Sequence, residues 1–282
     1  MENLQNKKHL STKDFLVSGE SFDLIYNPQK NLLCTSPQPK AENLARYYES
    51  DSYISHTDDT KGLMAWLYQK VKSYALESKM SLIESRNNGT TSVLDIGAGT
   101  GEFLKLASDR NWEIAGVEPN EKARMLANSK GMNLKSQIDD FKSSEFDVVT
   151  LWHVLEHLPD LETTIKKIEA LVKPSGVLII AVPNYKSYDA NYYKEFWAAY
   201  DVPRHLWHFS KESMKGLFSS EMKLEKIKPM YFDSFYVSLL SEKYKTKNNF
   251  SIKALLVGLW SNVSGIRTKE YSSHIYCFRK AN

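Results

Sequence analysis

The chain has 282 residues, 42% of them hydrophobic and 25% charged, with a formal net charge of +3. That is enough apolar material for one large domain, or for a domain with an appendage, and too little charge for the concentrated basic face of a strong nucleic-acid binder. Two isolated cysteines, Cys34 and Cys277, exclude a disulfide framework and a CxxC metal site.

In chain order, residues 1–40 mix strand-like pieces, Phe22–Tyr26 and Asn31–Thr35, with the turn residues Pro28, Pro37 and Pro39. An aromatic stretch from Arg46 to His56 follows, then helical spacing over Leu63–Ile83, closed by Asn87-Asn88-Gly89. From residue 92 short apolar runs alternate with amphipathic stretches. Strands are predicted at Ser92–Ile96, Glu113–Val117, Phe146–Leu151, Val177–Val182, Leu224–Tyr231 and His274–Arg279. Helices are predicted at Glu102–Arg110, Asn120–Ser129 behind an Asn cap, Leu161–Val172 and Lys211–Phe218. This alternation gives right-handed crossovers and a mainly parallel sheet with helices on both faces. The segment 235–265 is too long for a hairpin and is expected to hold helices.

Thirteen Lys/Arg against six Asp/Glu follow from Lys211 onward, which suits either a solvated surface or an anionic partner. The start of the chain lacks the apolar stretch of a signal peptide. The longest apolar segment, Ile252 to Trp260, is interrupted by Lys253 and Gly258 and is too short to span a bilayer. The expectation is a cytoplasmic protein with no membrane span and no clear nucleic-acid signal.

The most informative segment runs Val93-Leu-Asp-Ile-Gly-Ala-Gly-Thr-Gly-Glu-Phe-Leu104. A buried strand enters three glycines, Gly97, Gly99 and Gly101, and a helix starts at once. Such a turn lets a ligand approach the backbone closely and meet the free N–H groups of the helix start. The dinucleotide fingerprint needs glycine at 102, where Glu102 stands. Seventeen residues after Gly101 the next strand ends in Glu118, a carboxylate able to accept both hydroxyls of a ribose.

Asp95-Ile-Gly-Ala-Gly-Thr-Gly101 followed by Gly116-Val-Glu-Pro-Asn120 resembles motif I and the acidic strand end of class I S-adenosylmethionine methyltransferases. The resemblance covers about residues 90–230. It implies an α/β, Rossmann-like fold with a mainly parallel seven-stranded sheet, helices on both faces and an N-terminal extension. Residues 1–89 would form the extension and a helical lid, and residues 90–282 the cofactor domain, with a helical insert about 235–265. S-adenosylmethionine would be the cofactor. Gly97, Gly99 and Gly101 would line its methionine part, Glu118 would hold the ribose, and Asp95 would orient the loop and the amino group. Asp139, Trp152 and Tyr53 complete the set of candidate cofactor residues.

After the third strand of this unit, His153, Glu156 and His157 stand at i, i+3 and i+4, a metal-ligand spacing. The stretch is similar to the ExxEH segment of ubiquinone-pathway O-methyltransferases, which is associated with a divalent metal. Here His153 replaces the first acid, and no metal is expected. Pro203-Arg-His-Leu-Trp-His-Phe209 resembles a segment common in the same bacterial enzymes. His208 suits a structural anchor, and Ser210 an N-cap, although a full capping box calls for Glu or Gln where Ser213 stands.

A sulfonium is an activated donor, so catalysis is mainly alignment, and a hydroxyl acceptor adds the need for a base. His153 and His205 are the candidates. Tyr47, Tyr48, Tyr53 and Trp66 suit either an aromatic lid over the cofactor or ordinary packing. The reading that results is O-methylation of a small molecule or lipid precursor. Methylation of RNA or protein, and a cofactor-binding module without turnover, stand as alternatives.

Overall fold

The computed structural model describes residues 7–48, 63–86, 89, 91–248 and 251–282. Three antiparallel strands open it: β1 (Lys7–Lys13), β2 (Ser21–Asn27) and β3 (Leu32–Ser36). A short helix α1 (Ala41–Leu44) and a 3₁₀ turn (Ala45–Tyr48) follow, then the long helix α2 (Leu63–Arg86).

The alternating part runs β4 (Ser92–Ile96), α3 (Glu102–Asp109), β5 (Glu113–Val117), α4 (Glu121–Ser129), β6 (Phe146–Trp152), α5 (Leu161–Leu171) and β7 (Val172–Pro183). Short elements come next: α6 (Tyr188–Tyr193), β8 (Trp207–His208) and α7 (Lys211–Lys215). The chain then forms β9 (Met222–Pro229), the expected helical insert as α8 (Asp233–Thr246) and α9 (Ile252–Thr268), and β10 (Ser273–Lys280).

The main sheet has the order β5-β4-β6-β7-β10-β9. Its first four strands are parallel, while β10 lies antiparallel to both β7 and β9. Alternate residues of each parallel strand supply two cores. Leu94, Val149, Leu178 and Ile180 pack against Leu161, Ile165, Ile168 and Leu171 of α5. Val93, Val148, Val177 and Ile179 pack against Met80 and Ile83 of α2 and Phe103 and Leu104 of α3. Strands covered on both faces are mostly apolar, and all five residues of β4 are buried, Ser92 and Asp95 included.

The sheet therefore has six strands among the described residues, not the seven expected. The place of a further strand beyond β5 is taken by Lys135 alone, in a parallel bridge to Val117. Lys135 N–H donates to Gly116 O and its carbonyl accepts from Glu118 N–H. The stretch leaves a left-handed Gly131 and enters a 3₁₀ turn at Ile138–Asp140, which leaves no length for a ladder.

A second sheet, of order β1-β2-β3-β8, was not anticipated. Leu33 pairs with His208 and Cys34 with Trp207, so the first strands are completed by the Pro203–Phe209 segment. Ser210 caps α7 with Ser213 returning its hydroxyl to the Ser210 N–H at 2.7 Å, so serine does the work expected of Glu or Gln.

Candidate functional site

The carboxyl ends of β4, β5 and β6 meet at one point, where open α/β sheets bind ligands. The glycine turn leaves β4 there, with Gly97 at φ 76° and a Cβ on it standing only 2.3 Å from Val154. Only glycine fits a left-handed backbone with that neighbour. Glu118, at the end of β5, closes the turn. One of its carboxylate oxygens accepts from Gly99 N–H and the other from Asn120 N–H, both at 2.8 Å. Asp95 is buried inside β4 and accepts from the Thr150 hydroxyl of β6 at 2.6 Å. Burial pushes its carboxyl up to about 6, with Thr150 and Lys79 drawing it partly back.

Trp152 ends β6 edge-on to Phe103, with the Lys79 ammonium 4.6 Å over its ring. Burial lowers the Lys79 pKa, against the pull of Asp95, Asp233 and Glu102. Lys79 and Asp233 come from α2 and α8, and no local pattern marks them in the sequence. Asp139 lies exposed in its 3₁₀ turn and pairs with Lys167 at 2.8 Å. Tyr53 and the side chain of Trp66 lie outside the described residues.

His153 follows β6 in a left-handed conformation, φ 58°. Its Nε2 is 3.1 Å from Asp233 and its Nδ1 is 3.5 Å from Glu156. Burial opposes the charge, but the two carboxylates outweigh it and hold the pKa up to about 10. At neutral pH the ring is an imidazolium with no lone pair, which disfavours the role of proton acceptor anticipated for it. Because this pKa is raised above 6.5, the pairing stabilises the fold fully below pH 6.5, and the contribution is lost as pH climbs toward 10. Urea midpoints taken across that window should fall more steeply for the parent than for Asp233→Asn. Parallel slopes would show that the pairing contributes nothing in solution.

The 3₁₀ turn Leu155–His157 faces the Pro203–Phe209 segment, with Leu206 N–H donating to Glu156 O at 2.8 Å. His157 and His205 stack edge to face at 4.4 Å. Burial, with His205 alongside, lowers the His157 pKa to about 4, so this ring is neutral. His205 is buried, and its Nδ1 lies 2.9 Å from Ala199 O. A carbonyl only accepts, so Nδ1 carries a proton, while Nε2 lies 4.0 Å from Asp201 Oδ2. His208 anchors as expected, its Nε2 3.0 Å from the Thr35 hydroxyl.

A ring nitrogen of His157, one of His205 and an oxygen of Glu156 lie within 4.8 Å of one another. Both Glu156 oxygens are buried without a hydrogen bond, one of them in the ion pair with His153 at 3.5 Å. Two imidazoles and a carboxylate suit a divalent cation chemically, though this carboxylate already pairs with His153 and the donor set differs from the 153–156–157 spacing considered in the sequence. Arg204 is also fully buried, and sequence reasoning gave it no role. Its guanidinium reaches Asp201 at 2.7 Å, Asp14 at 2.9 Å and the Tyr47 carbonyl at 2.9 Å. It ties β1's exit and the Ala45–Tyr48 turn to the segment that carries His205.

Residues 68–221 match the family described as a methyltransferase domain. Over 122 residues the chain is 31% identical to the ubiquinone biosynthesis O-methyltransferase of Actinobacillus pleuropneumoniae, covering 38% of this chain and 52% of that protein. The Coxiella burnetii protein of the same name is 31% identical over 107 residues, 34% of this chain and 46% of that one. The chain thus spans about half the length of the curated relatives it matches. Its fold resembles phosphoethanolamine N-methyltransferase 2 of Haemonchus contortus, solved in complex with S-adenosyl-L-methionine. The TM-score is 0.50 at 17% identity, covering 73% of this chain and 53% of that one.

Proposed function

The chain belongs to the class I S-adenosylmethionine-dependent methyltransferases, and from that membership we propose that it methylates an oxygen of a small molecule or lipid precursor. The observation that carries the reading is the glycine turn braced by Glu118 at the carboxyl ends of β4 and β5. Gly97, Gly99 and Gly101 take the methionine part of the cofactor, Glu118 its ribose, and Asp95 the loop's alignment. Oxygen as the acceptor atom rests on the O-methyltransferases among the curated relatives.

His205 is the base for the acceptor hydroxyl. The reading is supported by its orientation, with Nδ1–H directed at Ala199 O, which leaves Nε2 as the nitrogen to take a proton. The charged His153, paired with Asp233 and Glu156, does not compete for the proton at neutral pH. Residues 1–89 would act as the extension and lid, and residues 90–282 as the transferase domain.

Purified protein given S-adenosylmethionine and a set of phenolic and catecholic acceptors should release S-adenosylhomocysteine while one acceptor gains a methyl mass. Methyl incorporation only into protein or RNA would overturn the small-molecule reading. His205→Ala should leave cofactor affinity unchanged and lower kcat by roughly 10²–10⁴-fold. The rising limb that a histidine base gives in the pH–rate profile should disappear with it. A lowered melting temperature and raised KM with the limb intact would instead make His205 an anchor of its segment.

A further inference from the structure

Helix α9 turns its large apolar residues outward. Its inner side is mostly small residues, with Ala254, Val257, Gly258, Ser261 and Gly265 buried. A Cβ on Gly258 would stand 2.9 Å from Phe235, so the close approach to α8 depends on that small side. Ile252, Leu256, Leu259, Trp260, Val263 and Ile266 are 45–68% exposed. Steps of three and four residues set them in one continuous stripe along the helix. Tyr231 and Phe232, both about half exposed, stand at the start of α8, where Asn262 of α9 donates to Tyr231 O at 2.9 Å. An apolar face of this kind on a single chain marks a docking surface rather than a solvated one.

Charge identifies the occupant. Between residues 243 and 269 there are six basic residues and no acidic one. Lys243, Lys245, Lys247 and Lys253 lie toward one end of the stripe, and Arg267 and Lys269 at the other. A second copy of the chain would bring these cations against their own equivalents, which is repulsive. An anionic lipid surface offers both an apolar interior for the stripe and phosphates for the lysines.

We propose that the exposed face of α9, with the basic ends of α8 and α9, docks on an anionic lipid bilayer. The helix lies in the headgroup boundary and does not span it; no helix among the described residues is long and apolar enough to cross a membrane. Asp233, the first residue of α8, is the one that meets His153 at 3.1 Å. The docked face therefore begins beside the candidate site, and an acceptor dissolved in lipid would reach that site without crossing bulk water. The docking itself does not depend on which acceptor is methylated.

The test is flotation of the whole protein with phosphatidylcholine vesicles, with and without a quarter of phosphatidylglycerol. The parent should float with the anionic vesicles, stay behind with the neutral ones, and be released by added salt. The double variant Leu256→Asp with Leu259→Asp changes only exposed positions, so melting temperature and cofactor affinity should hold while flotation falls at least about tenfold. Lys243→Gln, Lys245→Gln and Lys247→Gln together should remove most of the salt-sensitive binding, again by about tenfold or more. No flotation with anionic vesicles at low salt would overturn the proposal. So would equal flotation of parent and both variants, or a dimer in sedimentation that the Leu256→Asp, Leu259→Asp variant dissociates, which would give the face to a second copy. Cofactor binding measured on the same preparations separates failure here from failure of the transferase reading.

Discussion

Glu118→Ala should raise the Kd for S-adenosylmethionine by about 10- to 150-fold, the loss of about 1.5–3 kcal/mol in hydrogen bonds from a charged acceptor. The carboxylate has two tasks in this argument. It is the proposed partner of the ribose hydroxyls, and it already holds Gly99 N–H and Asn120 N–H at 2.8 Å. Removing it releases the glycine turn as well as the ribose. Glu118→Gln keeps an acceptor of similar shape without the charge, and should fall between parent and Ala variant. Titration calorimetry with S-adenosylmethionine and with S-adenosylhomocysteine measures both. An unchanged Kd in Glu118→Ala would remove this residue from the cofactor site. Absence of binding by the parent would remove the central reading.

The second large effect is on stability. Arg204→Met should destabilise the protein by about 3–5 kcal/mol, because it strips the cation from Asp201 and Asp14 in a buried setting. Arg204 is 1% exposed and Asp14 likewise, so water cannot replace the lost partner without disrupting the packing. A loss of that size is a large fraction of a typical domain's stability. Arg204→Lys keeps the charge but not the planar fork that serves Asp201, Asp14 and the Tyr47 carbonyl together, and should recover only part. Urea unfolding of the three proteins decides the matter. A change below about 1 kcal/mol in Arg204→Met would show the pairs to be worth no more than surface ones.

The glycine turn, Glu118 and the caps at Asn120 and Ser210 were legible because each is a local pattern, written within a few consecutive residues. The parallel core was legible for the same reason, since apolar runs such as Val177–Val182 need no partner to be recognised. What lay beyond reach depends on which residues meet across long separations. Lys79 and Asp233 enter the site because of the rotation of α2 and the start of α8, and that rotation is set by packing. Arg204 looked like part of a chemical motif, yet its partner Asp14 is 190 residues away. The seventh strand failed because a single bridge at Lys135 satisfies the edge of β5 with two hydrogen bonds.

The small sheet that joins β3 to β8 has a consequence for how the protein is made. The Thr35 hydroxyl and the His208 ring that meet in it are 173 residues apart. A ribosome adding roughly 5–20 residues each second needs about ten to thirty seconds to reach the second after the first. Through that interval β3 waits with one edge open, including its own Leu32 and Leu33, which end with no exposure at all. Co-translational folding of β1–β3 therefore cannot be completed locally. It is finished by a strand of two residues that emerges after the whole parallel core has been synthesised, so the nascent chain is most open to a holding chaperone at β1–β3.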